Sequence, residues 1–437
     1  MQETTALLTD RYELTMLSAA LGSGTAFRRT AFELFPRRLP DGRRYGVLAG
    51  VGRMLDAVEA FRFGPAELDY LTASGIVTDE AAHWLASYRF TGSMWGYPEG
   101  EVYFPGAPLL TVEGSFAEAC ILETLLLSIY NFDSAVAAAA SRMTLMAGDR
   151  PCIEMGARRA NEHAAVAASR AAYIAGFAAT SDLEAGRTYG VPTAGTAAHS
   201  FTLLHDSEAD AFRAQLAALG NSTTLLVDTY DVEAAVRTAV ELAGPELGAV
   251  RLDSGDLAEQ AVEVRALLDS LGATRTRIIV TSDLDEYQIA ALRGAPVDGY
   301  GVGTSLVTGS GAPTCSMVYK IVARATSDTA GAALEPVAKR SPRKETIGGR
   351  KYALRRRDAH GVAEADVIGI GTPPRDDGDD RPLLVPLVTD GRIVGREPLS
   401  AARERHRASV AELPRAAHKM SRGEPAIPTI LIPEVTA

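Results

Sequence analysis

The stretch Gly195-Thr196-Ala197-Ala198-His199-Ser200 sets one imidazole among small residues that leave room for a ligand. A neutral imidazole nitrogen can attack a phosphorus or carbon centre near neutral pH; the plainer alternative is a capping or core histidine. Other polar groups follow short apolar segments in the same way. They are Asp228-Thr229, Asp253-Ser254-Gly255-Asp256, Thr281-Ser282-Asp283 and Gly303-Thr304-Ser305. Arg251 lies inside Ala249-Val250-Arg251-Leu252, two residues before Asp253. A guanidinium in that setting requires an aspartate or an anionic ligand to face it. One of Asp253 and Asp256 suits a helix cap, and the other suits ribose hydroxyls or Mg²⁺. Gly301-Val302-Gly303-Thr304-Ser305 offers backbone N–H groups and hydroxyls for a phosphate. Arg158, Arg159 and the Lys339–Lys344 cluster are further candidate anion binders. His83, His360, His406 and His418 sit in charge-rich segments and read as solvated surface residues.

Those groups must be held by elements that end in one place. Short strand candidates recur at Cys152–Met155, Gly176–Thr180, Val191–Gly195, Thr224–Asp228, Ala249–Asp253, Ile278–Ser282 and Gly299–Gly303. Between most of them lie helical segments, such as Glu208–Leu219, Val232–Ala243 and Leu257–Leu271. This alternation predicts parallel βαβ units, whose strand C-termini build one site from many loops. On this reading His199 stands at the end of the Val191–Gly195 strand. Upstream, Leu7–Ala20 predicts a helix capped by Thr9 or Asp10, and Thr30–Phe35 a strand. Glu101–Phe104 and Pro108–Glu113 alternate around Pro105-Gly106, which predicts a hairpin. Phe116–Met146 is a long apolar helix. Thr372–Arg381 reads as an exposed acidic linker, followed by strands at Leu383–Val388 and Arg392–Val394 and a helix over Leu399–Leu413. Three regions result: 1–115, an N-terminal α/β domain; 116–330, a barrel; and 331–437, a segment returning to the first domain.

The chain has 437 residues and a formal net charge of −11, which argues against a general nucleic-acid or membrane-surface binder. Anionic small substrates need only a local group of arginines. The three cysteines have no metal-type spacing and fit a reducing compartment. Met1–Asp10 lacks a signal pattern. Phe116–Met146 is interrupted by Glu118, Glu123, Asn131 and Asp133 and reads as buried helix. The expectation is a cytoplasmic protein.

Taken in order, six stretches resemble the nicotinate phosphoribosyltransferase family over most of the chain. They are Leu8–Met16, Phe32–Phe35, Glu154–Ala160, Gly195–Phe201, Val250–Asp256 and Gly301–Ser305. The resemblance implies an irregular (β/α) barrel with an N-terminal α/β domain completed by C-terminal strands, and a homodimer with its active site at the subunit junction. It implies ATP-coupled transfer of phosphoribose from phosphoribosyl diphosphate to nicotinate, with Mg²⁺ and a transient phosphohistidine. By the same resemblance His199 is phosphorylated, Asp228 orients it, and Asp253 faces the ribose or the ring. Tyr12 stacks on the pyridine, Thr196 and Arg251 bind nicotinate, and Gly303 and Thr304 hold the sugar phosphate, with Arg158 a further phosphate contact.

Two positions depart from the family pattern. Met155 stands where relatives usually carry phenylalanine, and its polarizable sulfur can still cover a ring face. Asp182 stands where asparagine is expected. Ser181 aligns with the aspartate by which the nicotinamide-using sister enzyme accepts an amide N–H, and serine favours the acid. The competing readings are a nicotinamide or quinolinate phosphoribosyltransferase, and a non-catalytic barrel that senses phosphorylated metabolites. His199 counts against the quinolinate enzyme, and a sensor has no need of an acceptor imidazole.

Overall fold

The computed structural model describes residues 4–329, 331–341 and 346–433. The chain divides into two compact units, one formed by Met1–Ala138 with Thr314–Ala437, the other by Ala139–Pro313.

The discontinuous unit is built on a seven-stranded sheet. Its order is Leu334–Pro336, Met317–Ala325, Arg29–Pro36, Leu110–Ser115, Ser93–Gly96, Val385–Thr389, Arg392–Ile393. Strands from the C-terminal part of the chain therefore flank and complete the N-terminal ones. The central pair is antiparallel, with Phe32 opposite Ile321 and Leu34 opposite Tyr319. Phe32 and Tyr319 stack with centroids 4.8 Å apart, a geometry that contributes roughly 0.5–1.5 kcal/mol beyond burial. The expected hairpin around Pro105-Gly106 does not form. Val102–Tyr103 pairs instead with Gly46–Val47, and Leu110–Ser115 with Arg29–Pro36 and Ser93–Gly96. The Gly106 N–H is bonded to the Pro36 carbonyl at 2.8 Å, so the turn sends the chain to a distant strand and not back on itself.

A second sheet of this unit was not foreseen from sequence. It runs Arg381–Pro382, Lys351–Arg357, Ala363–Ile370, Thr429–Ile432. Arg355 is fully buried at its centre. Its guanidinium donates to Asp366 at 2.9 Å, Glu101 at 2.9 Å and the Val102 carbonyl at 2.8 Å. Arg381 adds a 2.7 Å bond to Glu101. The acidic segment before it is pinned, because Arg356 pairs with Asp377 at 3.2 Å and Asp380 at 3.0 Å.

The histidines fall differently from expectation in one case. His83 and His360 are exposed and His418 is half-buried, but His406 is buried. The helix Leu399–Ala411 turns Ala402, His406 and Ser409 inward, a spacing that puts them on one face. Burial, with Arg403 alongside, pulls the His406 imidazole down to about 4. A histidine in the unfolded chain titrates near 6.5. Between these values the unfolded chain binds a proton that the folded chain refuses, so stability falls as the pH drops. The loss between pH 6.5 and 5 is about 1.6 kcal/mol. Urea midpoints for H406Q should lack this part of the acid slope; a variant with the wild-type slope would refute the assignment.

The continuous unit holds a six-stranded, all-parallel sheet. Its order is Ala179–Thr180, Cys152–Glu154, Gly299–Val302, Arg277–Val280, Ala249–Leu252, Thr224–Leu226. Helices between the strands make this an irregular α/β barrel. Several begin on a side-chain cap two to five residues past a strand: Asp182, Asp231, Asp256 and Asp285 each accept one or two backbone N–H groups of the following turn.

The stretch Phe116–Ala147 is long and apolar enough to cross a membrane by length and composition. It forms the helices Phe116–Cys120 and Glu123–Ala147, and 67% of its most apolar window is buried within the protein, as in a core helix. Cys120, Cys152 and Cys315 are buried free thiols.

Candidate active site

The strand register decides where the polar groups meet. Glu154 is level with Thr180 and with Val302, and Leu252 with Val280. Ser181, Met155, Gly303, Thr281 and Asp253 are each the first residue beyond a strand, and Asp228 is the second. One edge of the sheet thus gathers residues that are more than a hundred positions apart.

His199 does not end a strand. The expected Val191–Gly195 strand is reduced to a single parallel bridge between Thr193 and Thr180. Pro192 has no N–H to give a ladder, and the chain then crosses to the short helix His199–Leu204, which His199 opens. The imidazole keeps 40% of its side-chain surface, so it is not sealed in the core. Its Nε2 lies 3.2 Å from Asp228 Oδ1. The other Asp228 oxygen accepts the Asp253 N–H at 2.9 Å and the Ser254 hydroxyl at 2.8 Å. With only 3% of its side chain exposed, Asp228 is fixed by these donors and in turn fixes the ring.

Arg251 reaches from its strand to the histidine segment. Its guanidinium donates to the Thr196 hydroxyl at 2.5 Å and the Ala197 carbonyl at 3.2 Å, and lies 4.0 Å from Asp253. Burial holds it below its usual basicity, opposed by Asp253 and Asp228 and reinforced by Arg158; the group remains charged. Its Nε is buried and makes no bond within the protein. The Thr281 hydroxyl donates to Asp253, while Asp256 caps its own helix, which divides the two aspartates between site and scaffold.

Beside these residues lies a cavity of about 260 Å³. Three guanidinium groups, of Arg158, Arg159 and Arg251, face it against two carboxylates, of Asp253 and Asp283. Met155, Gly303 and Thr304 line the rest with Ser282. Ser282 is held at φ 141°, a conformation that costs a non-glycine residue about 1–3 kcal/mol and is found mainly at functional sites. Gly301 admits no side chain, because a Cβ there would meet Thr281 Cγ2 at 2.5 Å and Met155 Sδ at 2.7 Å.

Of the residues singled out in the sequence, the structure joins His199, Asp228, Asp253, Arg251 and Thr196 in one bonded chain. It sets Met155, Arg158, Gly303 and Thr304 around the cavity that Arg251 and Asp253 share. Ser181 is exposed at the next strand end, and the Asp182 carboxylate is used to accept the Ala185 N–H at 2.9 Å. Tyr12 belongs to the other unit, in the first turn of the helix Arg11–Gly22 that Asp10 caps. It is 43% exposed, and partial burial and Glu123 push its phenol up. In the basic cluster Lys339 and Arg340 are exposed, and Pro342–Lys344 lie outside the described residues. Ser282 and Asp283, which follow the apolar run Ile278–Val280, stand among the strand-end polar groups of the sequence without a role of their own; the structure sets both on the cavity wall.

Comparison with known proteins decides the family. Residues 7–131 match the model of the nicotinate phosphoribosyltransferase (NAPRTase) N-terminal domain. The chain is 56% identical to nicotinate phosphoribosyltransferase pncB1 of Mycobacterium tuberculosis, over 99% of this chain and 96% of that one. The chain belongs to the nicotinate phosphoribosyltransferase family. Human nicotinate phosphoribosyltransferase is 32% identical over 84% of this chain and 80% of its own length. The crystal structure of human nicotinic acid phosphoribosyltransferase superposes with a TM-score of 0.82, at 28% identity, covering 97% of both chains.

Proposed function

We propose that the protein transfers phosphoribose from phosphoribosyl diphosphate to nicotinate, with release of diphosphate, and couples this to ATP through a phosphohistidine at His199. Membership of the nicotinate phosphoribosyltransferase family supports the transfer. The observation that carries the ATP coupling is the bonded pair His199–Asp228 beside a cavity rich in guanidinium groups. With Nε2–H donating to Asp228, the lone pair of Nδ1 is free to take the γ-phosphoryl group of ATP, and ADP leaves. The new dianion redraws the field among Arg158, Arg159 and Arg251, which tightens the sugar-phosphate site.

In the transfer step the bond from the anomeric carbon to diphosphate breaks as the pyridine nitrogen attacks. Arg158 and Arg159 would neutralise the departing charge, while the Gly303-Thr304 backbone would hold the sugar phosphate. The orphaned Arg251 Nε is a donor that the nicotinate carboxylate would complete. Ser181 leaves that end without a negative charge, which favours acid over amide. Mg²⁺ would be held with the diphosphate by Asp253 and Asp283, hard oxygen donors on the cavity wall, and supplies charge neutralisation when bound. A second copy of the chain would cover Leu203 and Leu204, which are 62% and 78% exposed just after His199.

The test incubates the protein with phosphoribosyl diphosphate and Mg²⁺, with nicotinate or nicotinamide, with and without ATP, and weighs the product. We expect nicotinate mononucleotide, formed more efficiently with ATP. An amide product alone overturns the substrate assignment.

A further inference from the structure

We propose that Glu154 is a positioning residue that sets the distance between the nicotinate end and the phosphate end of the site. The inference rests on the functional reading above. Glu154 is 1% exposed at the last position of the strand Cys152–Glu154 and takes no part in the chemistry described. Its carboxylate collects donors from three directions: the Gly156 N–H, the Ser169 hydroxyl at 2.9 Å, and the Thr180 hydroxyl. None of these partners is cationic. Burial therefore pushes the carboxyl up, against the lowering effect of the three bonds. A buried carboxylate without a counter-cation is costly, and simple strand packing at this position would be served by an apolar residue.

What the bonds hold is specific. Through Gly156 they fix the turn that carries Met155 and Arg158. Gly156 has no room for a side chain: a Cβ would meet Val307 at 2.3 Å and the Gly303 carbonyl at 3.1 Å. The turn is thereby seated on the Gly303–Val307 segment that forms the phosphate cradle. Through Thr180, whose hydroxyl also accepts the Asp182 N–H at 2.9 Å, and through its own carbonyl, which accepts the Ser181 N–H at 2.8 Å, Glu154 also fixes the strand end that presents Ser181. Glu154 thus ties the ring cover, a phosphate arginine and the carboxylate selector together, its side chain acting on the last through Thr180. Glutamine can take its place, because its amide oxygen accepts the Gly156 N–H while its NH₂ group donates to the two hydroxyls, which rotate.

The experiment compares wild type, E154A and E154Q for KM of nicotinate, Kd of phosphoribosyl diphosphate by calorimetry, kcat and thermal midpoint. A misplacement near 1 Å can cost about 100-fold. We expect E154A to raise both binding constants at least tenfold, with a smaller change in kcat, and E154Q to stay within about threefold of wild type. E154A that binds both substrates as wild type does, or E154Q as defective as E154A, overturns the proposal. If E154A does not fold, T180V decides: a KM for nicotinate raised threefold or more supports the proposal, and an unchanged one overturns it. A wild-type protein that forms no mononucleotide overturns the functional reading and this inference with it; active wild type with normal binding by E154A overturns the inference alone.

Discussion

Replacing His199 by alanine should abolish the proposed ATP coupling and leave a slow, ATP-indifferent transfer. The loss in kcat/KM for phosphoribosyl diphosphate in the presence of ATP should be about 100-fold, the size of removing one preorganised stabilising group. The reason is the position of the ring. The imidazole is bonded to Asp228, which is itself held by the Asp253 N–H and the Ser254 hydroxyl. No other imidazole is presented in this way: His205 bonds to the Phe201 carbonyl at 2.8 Å, and His163 is exposed on its helix. D228N keeps the shape but loses the charge that faces Nε2 and orients the ring, so it should fall between wild type and H199A. Labelling with [γ-³²P]ATP reads the first step by itself. Label retained by H199A would remove the phosphohistidine assignment.

The second large effect is expected at Arg251. R251M keeps the stem and removes the fork that joins Thr196, Ala197 and Asp253. The KM for nicotinate should rise about 100-fold, in line with loss of a charge-assisted anion contact in a partly dry pocket. R251K should recover only a part, because an ammonium is a point donor and cannot bridge Thr196 and Asp253 together. The same substitution frees the Gly195–Ala198 crossing, so amide exchange should quicken there in R251M. An unchanged KM for nicotinate would place the carboxylate elsewhere.

The barrel was the readable part of the sequence. Its strands are short apolar runs that end in aspartate, serine or glycine, and its helices announce themselves with caps such as Asp231 and Asp256. Strand-end position therefore marks Asp228, Asp253 and Thr304, and a guanidinium inside an apolar strand marks Arg251. What escaped was set by partners far away. The Lys351–Arg357 strand carries no apolar alternation that marks it, because Arg355 points inward, where Glu101 and Asp366 pair with it. His406 looked like surface because its helix is crowded with charge on the outer face. The Val191–Gly195 segment had a strand's composition, but Pro192 left it one bridge wide. Glu154 lies within the Glu154–Ala160 stretch, yet the bonds that would make it a positioning residue come from Ser169 and Thr180, on a helix and a neighbouring strand.

The pairing of Arg29–Pro36 with Met317–Ala325 has a consequence for how the polypeptide is made. Phe32 and Ile321 are roughly 290 residues apart, or about 15–60 s of ribosomal synthesis. During that interval one edge of an early strand, with Phe32 and Leu34 on it, lacks its neighbour, while Ala139–Pro313 emerges as an uninterrupted segment able to fold ahead of it. The nascent chain thus carries a sticky, half-built sheet through most of its own translation. Slowing elongation after residue 313 should increase its capture by chaperones.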